Sequence, residues 1–233
     1  MENAFDEEKR LYYSNLVEVE GFVSKGPEYH HSTHGEDIYL FELSVLRSNK
    51  TSNDVLPIEI SSRAVDISRI HTNDIVRIFG QFRSFNKVDR DSGKVSLQLS
   101  IFVRDIDWIT EEECSFKNQI SLYGYICKNP TYRVTPSGRE ISDVILAVNR
   151  IYGRSDYIPC IAWSRNARFV SGLPVGTLLE IKGRIQSRVY RKKIASTNEY
   201  IENTVYEVSV SSLSKVDGDV SENTDIVTEE QEQ

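Results

Sequence analysis

One 29-residue segment decides the fold of this chain: LYGYICKNPTYRVTPSGREISDVILAVNR, residues 122–150. It repeats an earlier segment, VEGFVSKGPEYHHSTHGEDIYLFELSVLR, residues 19–47, with a constant offset of 103. A register that persists over this length indicates two tandem copies of one domain. Nine identical pairs support the offset: Gly21/Gly124, Pro27/Pro130, Gly35/Gly138, Val45/Val148, Arg47/Arg150, Ala64/Ala167, Ile78/Ile181, Gly80/Gly183 and Ser84/Ser187.

The second copy has the residue pattern of a small β-barrel. In residues 119–128, Ile120, Leu122 and Ile126 alternate with Tyr123 and Tyr125, which is typical of a half-buried strand. Further strands are predicted at 142–150, 157–163, 176–190 and 204–210, with a turn at 135–140 and a short helix at 164–172 that ends at Gly172. Three strands, a helix and two strands is the order of the OB-fold, a five-stranded barrel.

We therefore predict an all-β protein of two tandem OB-fold five-stranded barrels, each with one short helix. The tail is polar, acidic and free of aromatic residues, so we expect it to be disordered. The predicted boundaries are 1–15 for an N-terminal extension, 16–110 for the first domain, 111–117 for the linker, 118–215 for the second domain and 216–233 for the tail.

Charge divides the chain sharply, although the net value is only −7 and the isoelectric point about 5.3. Residues 1–117 hold 14 Lys and Arg against 21 Asp and Glu, which gives −7. Residues 118–217 hold 14 against 8, which gives +6, and the last sixteen residues hold six acids and no base. The second copy is therefore the basic part of an acidic protein, and it is the part suited to a polyanion.

Several classes of protein do not fit this sequence. No run approaches the roughly 20 apolar residues of a membrane-spanning helix, and the acidic N-terminus does not resemble a signal peptide. The three cysteines are odd in number and form no C-x-x-C pair, which argues against a disulfide framework and a cysteine zinc site. We expect a reducing, cytoplasmic and nucleoid-associated location.

The most basic stretch of the chain is GRIQSRVYRKK, residues 183–193, and no acid occurs between 181 and 198. Alternation directs Leu179, Ile181, Ile185 and Val189 into the barrel. It directs Lys182, Arg184, Arg188 and Tyr190 outward. An ordinary solvated edge strand is one interpretation, and a docking face for a polyanion is the other. The candidate phosphate contacts are Arg150, Arg154, Lys182, Arg184, Arg188, Arg191, Lys192 and Lys193.

Aromatic residues accompany this charge. Tyr157 and Trp163 share one face of a predicted strand, Tyr152 lies in the loop before it, and Tyr190 ends the cationic row. Bases of an unpaired strand stack on such rings at ~1–3 kcal/mol each, while the cations neutralise phosphates. The alternative is that the rings belong to the core, for which Trp163 is the strongest candidate.

Three blocks of the second copy resemble the core of bacterial-type single-stranded DNA-binding proteins: 120–150, 157–170 and 176–190. The resemblance implies base stacking on Tyr152, Tyr157, Trp163 and Tyr190. It also implies sequence-independent binding and protection of single-stranded DNA in replication, recombination or repair. The family works with four OB domains, which implies a homodimer here. Its acidic tail recruits replication and repair proteins through an apolar tip, but this chain ends in EEQEQ and lacks that tip.

The first copy lacks the ring set. At the offset of 103, Tyr152, Trp163 and Tyr190 are replaced by Asn49, Ile60 and Lys87, and Tyr157 is replaced by Asp54 or, if the prolines set the register, by Val55. We therefore expect the second domain to supply most of the affinity and the first to be mainly architectural. A secondary DNA face is predicted from the outward row Arg77, Arg83, Phe85 and Lys87.

Other chemistry finds little support in the residues. His30, His31 and His34 lie in a predicted turn, and no acid or cysteine stands at obvious metal-ligand spacing beside them. We expect no metal, no cofactor and no enzymatic activity, since phosphate loops and nucleophile motifs do not occur. An adaptor that mainly binds proteins in replication restart or in a mobile element, or an RNA-binding OB protein, remains an alternative because rings and cations serve both nucleic acids.

Overall fold

The computed structural model describes residues 13–49, 51–88, 93, 95–151, 153–193 and 200–216. Within these residues the chain is almost entirely β-structure. The first copy forms β1 (Asn15–Thr33), β2 (Glu36–Leu46), β3 (Asn53–Ser61), a 3-10 turn (Ile67–Arg69), β4 (Ile75–Val88) and β5 (Val95–Trp108). The second copy forms β6 (Asn118–Ile126), β7 (Thr131–Val134), β8 (Glu140–Asn149), β9 (Ser155–Trp163), α1 (Ser164–Ser171), β10 (Leu178–Lys193) and β11 (Tyr200–Lys215).

Each copy closes into a five-stranded barrel. In the first, the strands follow the order β1-β2-β3-β5-β4, and β4 returns to pair with β1. In the second, the order is β6-β8-β9-β11-β10, and β10 returns to β6. All of these pairs are antiparallel except β3 with β5 and β9 with β11. The prediction of two tandem OB-fold barrels is confirmed.

The helix after the third strand differs between the copies. In the second barrel, α1 buries Ala167 and Val170 and ends at Gly172. In the first barrel it is reduced to the 3-10 turn at Ile67–Arg69. The Asp66 carboxylate accepts the Ser68 N–H at 3.0 Å and caps the N-terminus of this turn.

The inward faces of the strands follow the predicted alternation. Ile120, Leu122 and Ile126 are buried in β6, and Leu179, Ile181 and Ile185 are buried in β10. The prediction for Val189 is wrong, because this side chain is 58% exposed. β10 pairs with β6 only as far as Gly183, and Val189 belongs to the two-stranded part of the β10–β11 hairpin. No inward space exists there for it to fill.

The barrels join through antiparallel pairing of β1 with β6 and through contacts of the third strand of each barrel with the fourth strand of the other. We call this whole interface the seam. Val17 lies opposite Ile120, with Asn15 opposite Leu122 and Val19 opposite Asn118. Val17 and Ile120 are themselves equivalent at the offset of 103, so the seam has an approximate two-fold axis between them. The chain therefore resembles an isologous dimer of one-barrel subunits, fused into a single polypeptide.

Strand register selects the counterpart of Tyr157 from the two alternatives and corrects the counterpart of Trp163. Ser44 pairs with Val55, whereas its equivalent Ala147 pairs with Tyr157, so Val55 is the counterpart of Tyr157. By the same pairing Ser61 corresponds to Trp163, and the prediction of Ile60 is wrong. The loop before β9 is one residue shorter than the loop before β3, which moves the local offset to 102.

A membrane-crossing helix is not found among the described residues, since none is both long and apolar enough.

Candidate nucleic-acid interface

The aromatic row of the second barrel lies on the outer face of β9. Tyr157 is 48% exposed, and Trp163 is half-buried on the same face, with Pro159 and Ile161 between them. The Trp163 indole N–H donates to Ser209 Oγ at 3.1 Å, which fixes the ring against β11. Trp163 therefore lies outside the barrel core and keeps part of its ring available for stacking.

Two of the four predicted stacking rings have no described side chain. Tyr152 lies outside the described residues. Tyr190 belongs to β10, but its side chain, like those of Arg191, Lys192 and Lys193, is outside the described set. The structure therefore places Tyr157 and Trp163 on one face of β9. The positions of the Tyr152 and Tyr190 rings stay predictions.

Lys182 and Arg188 project from the outer face of β10, as predicted, and each has an acidic neighbour. Lys182 Nζ lies 3.2 Å from Glu180, and Arg188 Nε lies 3.6 Å from Glu207. Both basic side chains are more than half exposed, so these ion pairs contribute little to stability. Both basic side chains are therefore accessible from solvent.

We call the outer face of β9, β11 and β10 the wall of the second barrel. Glu207 was not predicted from the sequence to lie on this wall. It lies on β11 directly opposite Gln186, is 6% exposed and accepts the Gln186 amide N–H at 2.7 Å. The stretch between 181 and 198 contains no acid, but a cross-strand partner places one inside the cationic wall. Alternation on β11 could have directed Glu207 outward, although only the register places it beside Arg188.

Arg184 differs from its neighbours because it crosses the seam. Its Nη1 donates to Asp54 Oδ2 at 2.8 Å, and Asp54 also binds Arg47 and the Ser187 N–H. The Asp54 side chain is 1% exposed. Arg184 therefore neutralises a buried carboxylate of the first barrel and is only partly available to a phosphate.

Arg150 also reaches across the seam, as its counterpart Arg47 does toward the Ser187 carbonyl of β10. Its Nε donates to Asp156 at 2.7 Å, and its Nη2 donates to the Ser84 carbonyl at 3.3 Å. The hydrogen bond to Asp156 raises the pKa of Arg150, against the effect of burial. Arg154, in contrast, is exposed and forms no ion pair with any described residue. Arg150 is thus a seam residue, and Arg154 remains a candidate phosphate contact.

The predicted secondary face of the first barrel also lies outward, on β4. Phe85 is 39% exposed, with the His30 ring centroid 6.4 Å away, and Lys87 is exposed without an ion pair to the described residues. Arg77 donates to Glu20 at 2.8 Å. Burial alone would raise the pKa of Glu20, but hydrogen bonds from Ser115 and Arg77 lower it to about 2. Arg77 therefore forms an ion pair with the buried carboxylate of Glu20.

The two candidate faces meet where β9 approaches β4. The Ser84 N–H donates to Asp156 Oδ1 at 2.6 Å, and the Tyr157 N–H donates to Ser84 Oγ at 2.8 Å. Ser84 stands between Arg83 and Phe85 in the sequence. The backbone of Tyr157 in one barrel therefore contacts β4 of the other at Ser84, the residue between Arg83 and Phe85.

Comparison with known proteins identifies the family. The model of the single-strand binding protein family matches residues 117–216. Single-stranded DNA-binding protein B of Bacillus subtilis (strain 168) is 33% identical over 91 residues, which cover 36% of this chain and 80% of that protein. The chain belongs to the single-strand binding protein family.

A further relative and one solved structure are also similar to this chain. Single-stranded DNA-binding protein 1 of Staphylococcus aureus (strain COL) is 37% identical over 83 residues, 33% of this chain and 50% of that protein. The chain thus spans about half the length of that relative. A deletion variant of the single-stranded DNA binding protein from Thermus aquaticus has a TM-score of 0.69 at 18% identity, covering 90% of this chain and 97% of that one. That likeness shows a shared fold.

The histidines of the β1–β2 hairpin are the remaining cluster of polar groups. His30 Nδ1 and His31 Nδ1 lie 2.9 Å apart on the exposed hairpin. Over the part of the chain that the structure describes, no group of three or more His, Cys, Asp or Glu side chains is placed to hold a metal ion.

Proposed function

We propose that this protein binds single-stranded DNA without sequence preference and protects it in replication, recombination or repair, chiefly through the second barrel. Membership of the family supports this function, and the relatives that match carry the activity in their names. The observation that carries the proposal is the outer wall of the second barrel. It presents the exposed ring of Tyr157 in one row with Trp163, beside the exposed cations of β10.

The wall combines the two interactions that an unpaired strand needs. Bases stack on Tyr157 and on the available part of Trp163, and phosphates replace the carboxylates that neighbour Lys182 and Arg188. In the first barrel the counterparts of Tyr157 and Trp163 are Val55 and Ser61. Neither residue offers a π-face, and this difference favours the second barrel as the main binding surface.

Fluorescence titration at several salt concentrations tests the proposal. The chain holds two tryptophans, so the variant Trp108→Phe leaves Trp163 as the only reporter. We expect poly-dT to quench Trp163, an RNA homopolymer to bind more weakly and duplex DNA to have no effect. Quenching by duplex as strong as by poly-dT would contradict the proposal. Stronger binding of RNA would favour the RNA-binding alternative, and no response to any nucleic acid would favour the protein-binding adaptor.

Two substitutions locate the binding surface. Tyr157→Ala removes a stacking ring and should weaken binding about tenfold, whereas Tyr157→Phe should bind like the wild type. Arg188→Ala should reduce the slope of log K against log salt by ~0.7, the value for one phosphate on a single strand. Arg168→Ala is the matched control, because Arg168 is an exposed, ion-paired arginine on α1 of the same barrel. Equal losses in Arg168→Ala and Arg188→Ala would mean that only total charge matters.

The proposal also covers the oligomeric state of the protein and the proteins that it recruits. We propose a homodimer, which would place four OB barrels in one assembly. Recruitment of replication or repair proteins was predicted from the acidic tail, whose residues 217–233 lie outside the described part of the chain. That recruitment stays a prediction of the family resemblance.

A further inference from the structure

Arg83 is a half-buried arginine without an acidic partner. Its guanidinium carbon lies 3.8 Å from the Phe102 ring centroid, and its Nη2 donates to Gln81 at 3.0 Å. Its Nε is buried and has no hydrogen-bond partner. The nearby carboxylates of Asp156 and Glu59 influence its charge but lie beyond ion-pair distance of it among the described residues. A buried donor left without a hydrogen-bond partner costs free energy, and such groups are uncommon in native structures.

The repeat shows that this arrangement is specific to the first barrel. The counterpart of Arg83 is Gln186, which binds Glu207 directly opposite it on β11. Directly opposite Arg83 on β5 is Ser100, whose hydroxyl is buried and also lacks a partner. One barrel therefore pairs a neutral amide with an acid, and the other pairs an arginine with a serine. The formal charge of this cross-strand pair alone is more positive by two in the first barrel.

Burial and neighbouring arginines disfavour the charged form of Arg83, although Asp156 and Glu59 offset part of this effect. The pKa of Arg83 is lowered to about 10, first by burial and then by the positive charge of Arg150, with Arg104 adding to it. At neutral pH the guanidinium keeps its proton, because about 10 is still well above 7. An arriving anion would relieve both the desolvation and the repulsion between these arginines.

The position of Arg83 shows which anion fits. Its neighbour Ser84 is hydrogen-bonded to the Tyr157 backbone across the seam, and Phe85 and Lys87 follow outward on the same strand. An exposed ring, a cation, a second exposed ring and a second cation thus follow one another from the second barrel onto the first. Alternating rings and cations suit a polymer of bases and phosphates better than a free ion.

We propose that Arg83 binds a backbone phosphate of the DNA strand where that strand leaves Tyr157 and crosses the seam onto Phe85 and Lys87. The inference rests on the proposed function, since it requires that the second barrel bind single-stranded DNA. It makes the first barrel a continuation of the binding path, whereas an architectural first barrel would not touch the strand.

The variant Arg83→Gln tests this contact, because it installs the residue that the second barrel has at the equivalent position. With oligo-dT of roughly 35 nucleotides, which exceeds the ~4–16 that one OB domain covers, affinity should fall about fivefold to tenfold. The salt slope should fall by ~0.7. Arg69→Gln is the matched control, because Arg69 also lies over an aromatic ring, Trp108 at 4.7 Å, but away from the seam. It should leave affinity and slope unchanged.

A direct measurement does not depend on how the variants fold. The Nε–H signal of Arg83 in an NMR spectrum of the wild-type protein should shift when oligo-dT is added. It should not shift with inorganic phosphate at the same ionic strength. A shift with inorganic phosphate alone would reveal a small-anion site and overturn the proposal.

The outcomes separate this inference from the proposed function. If the wild type does not bind oligo-dT, both are wrong. If the wild type binds and Arg83→Gln binds with the same affinity and slope, only the contact at Arg83 is wrong. A fall in the thermal midpoint of Arg83→Gln, with weaker binding but an unchanged salt slope, would indicate a structural role and would also overturn the contact.

Discussion

Gly80 and Gly183 occupy equivalent places in the fourth strand of each barrel. Each lies at a β-bulge, next to Phe79 in one copy and Lys182 in the other. A Cβ on Gly183 would collide with the Ser209 carbonyl oxygen, and one on Gly80 would collide with that of Phe102. The fourth and fifth strands therefore approach too closely for any side chain, which explains why this pair is identical in the repeat.

Gly183→Ala should therefore destabilise the second barrel. Backbone must move to admit the methyl group, and overpacking of this kind costs ~1–3 kcal/mol. Gly26→Ala is the control, since a Cβ there would meet only Thr72 Oγ1 at an ordinary 3.7 Å. Urea denaturation monitored by circular dichroism measures both changes. A Gly183→Ala protein as stable as Gly26→Ala would show that the strands separate easily.

At the scale of elements, two buried aspartates connect the third strand of each barrel to the fourth strand of the other. Asp54 of β3 accepts the Ser187 N–H of β10 at 2.8 Å, and Asp156 of β9 accepts the Ser84 N–H of β4 at 2.6 Å. The approximate two-fold axis of the seam relates these contacts. They are unequal, because Arg184 adds an ion pair to Asp54 while its counterpart is the neutral Gln81.

Asp54→Asn should weaken the seam strongly. The substitution leaves Arg47 and Arg184 without their carboxylate, and breaking a buried pair costs ~3–5 kcal/mol. Asp143→Asn is the control, because Asp143 forms an exposed ion pair with Arg133 and should lose less than ~1 kcal/mol. Differential scanning calorimetry should show two transitions for Asp54→Asn and one for the wild type. A single unshifted transition would mean that β1–β6 pairing alone joins the barrels.

At the scale of the whole molecule, the two copies share a frame but differ in surface chemistry. Residues 1–117 carry −7 and residues 118–217 carry +6, while the fold of each copy is the same barrel. The inward residues are alike because both barrels must close and fill a core. The outward residues are free to differ, and they carry the difference in proposed DNA contact.

The proposed homodimer gives a prediction at this scale. One chain has a mass of 26.7 kDa, so sedimentation equilibrium should give about twice that value at micromolar concentration. The seam is internal to the chain, and the seam variant Asp54→Asn should therefore leave the dimer intact. A monomer mass throughout the concentration range would contradict the proposal and leave two barrels as the working unit.

The repeat, the order of strands and the direction of most side chains could be predicted from the sequence alone. These features are local, because a strand alternates with period two and a tight turn needs particular residues. The inward set of β6, the helix that ends at Gly172 and the outward position of Tyr157 all follow from this periodicity. The prediction that Val189 points inward was wrong because alternation does not show where a barrel ends.

The contacts of the charged residues could be assigned only from the tertiary structure. Arg184 meets Asp54, 130 residues away, and Arg188 meets Glu207 across a hairpin whose register is not local information. Loop length moved the counterpart of Trp163 from Ile60 to Ser61. The sequence does not distinguish Arg83 from the other cations of β4. Only the closed barrel shows that its Nε is buried without a hydrogen-bond partner, next to Ser84, which binds the Tyr157 N–H. Ion pairs depend on distances in space, and those are set only when the strands have paired.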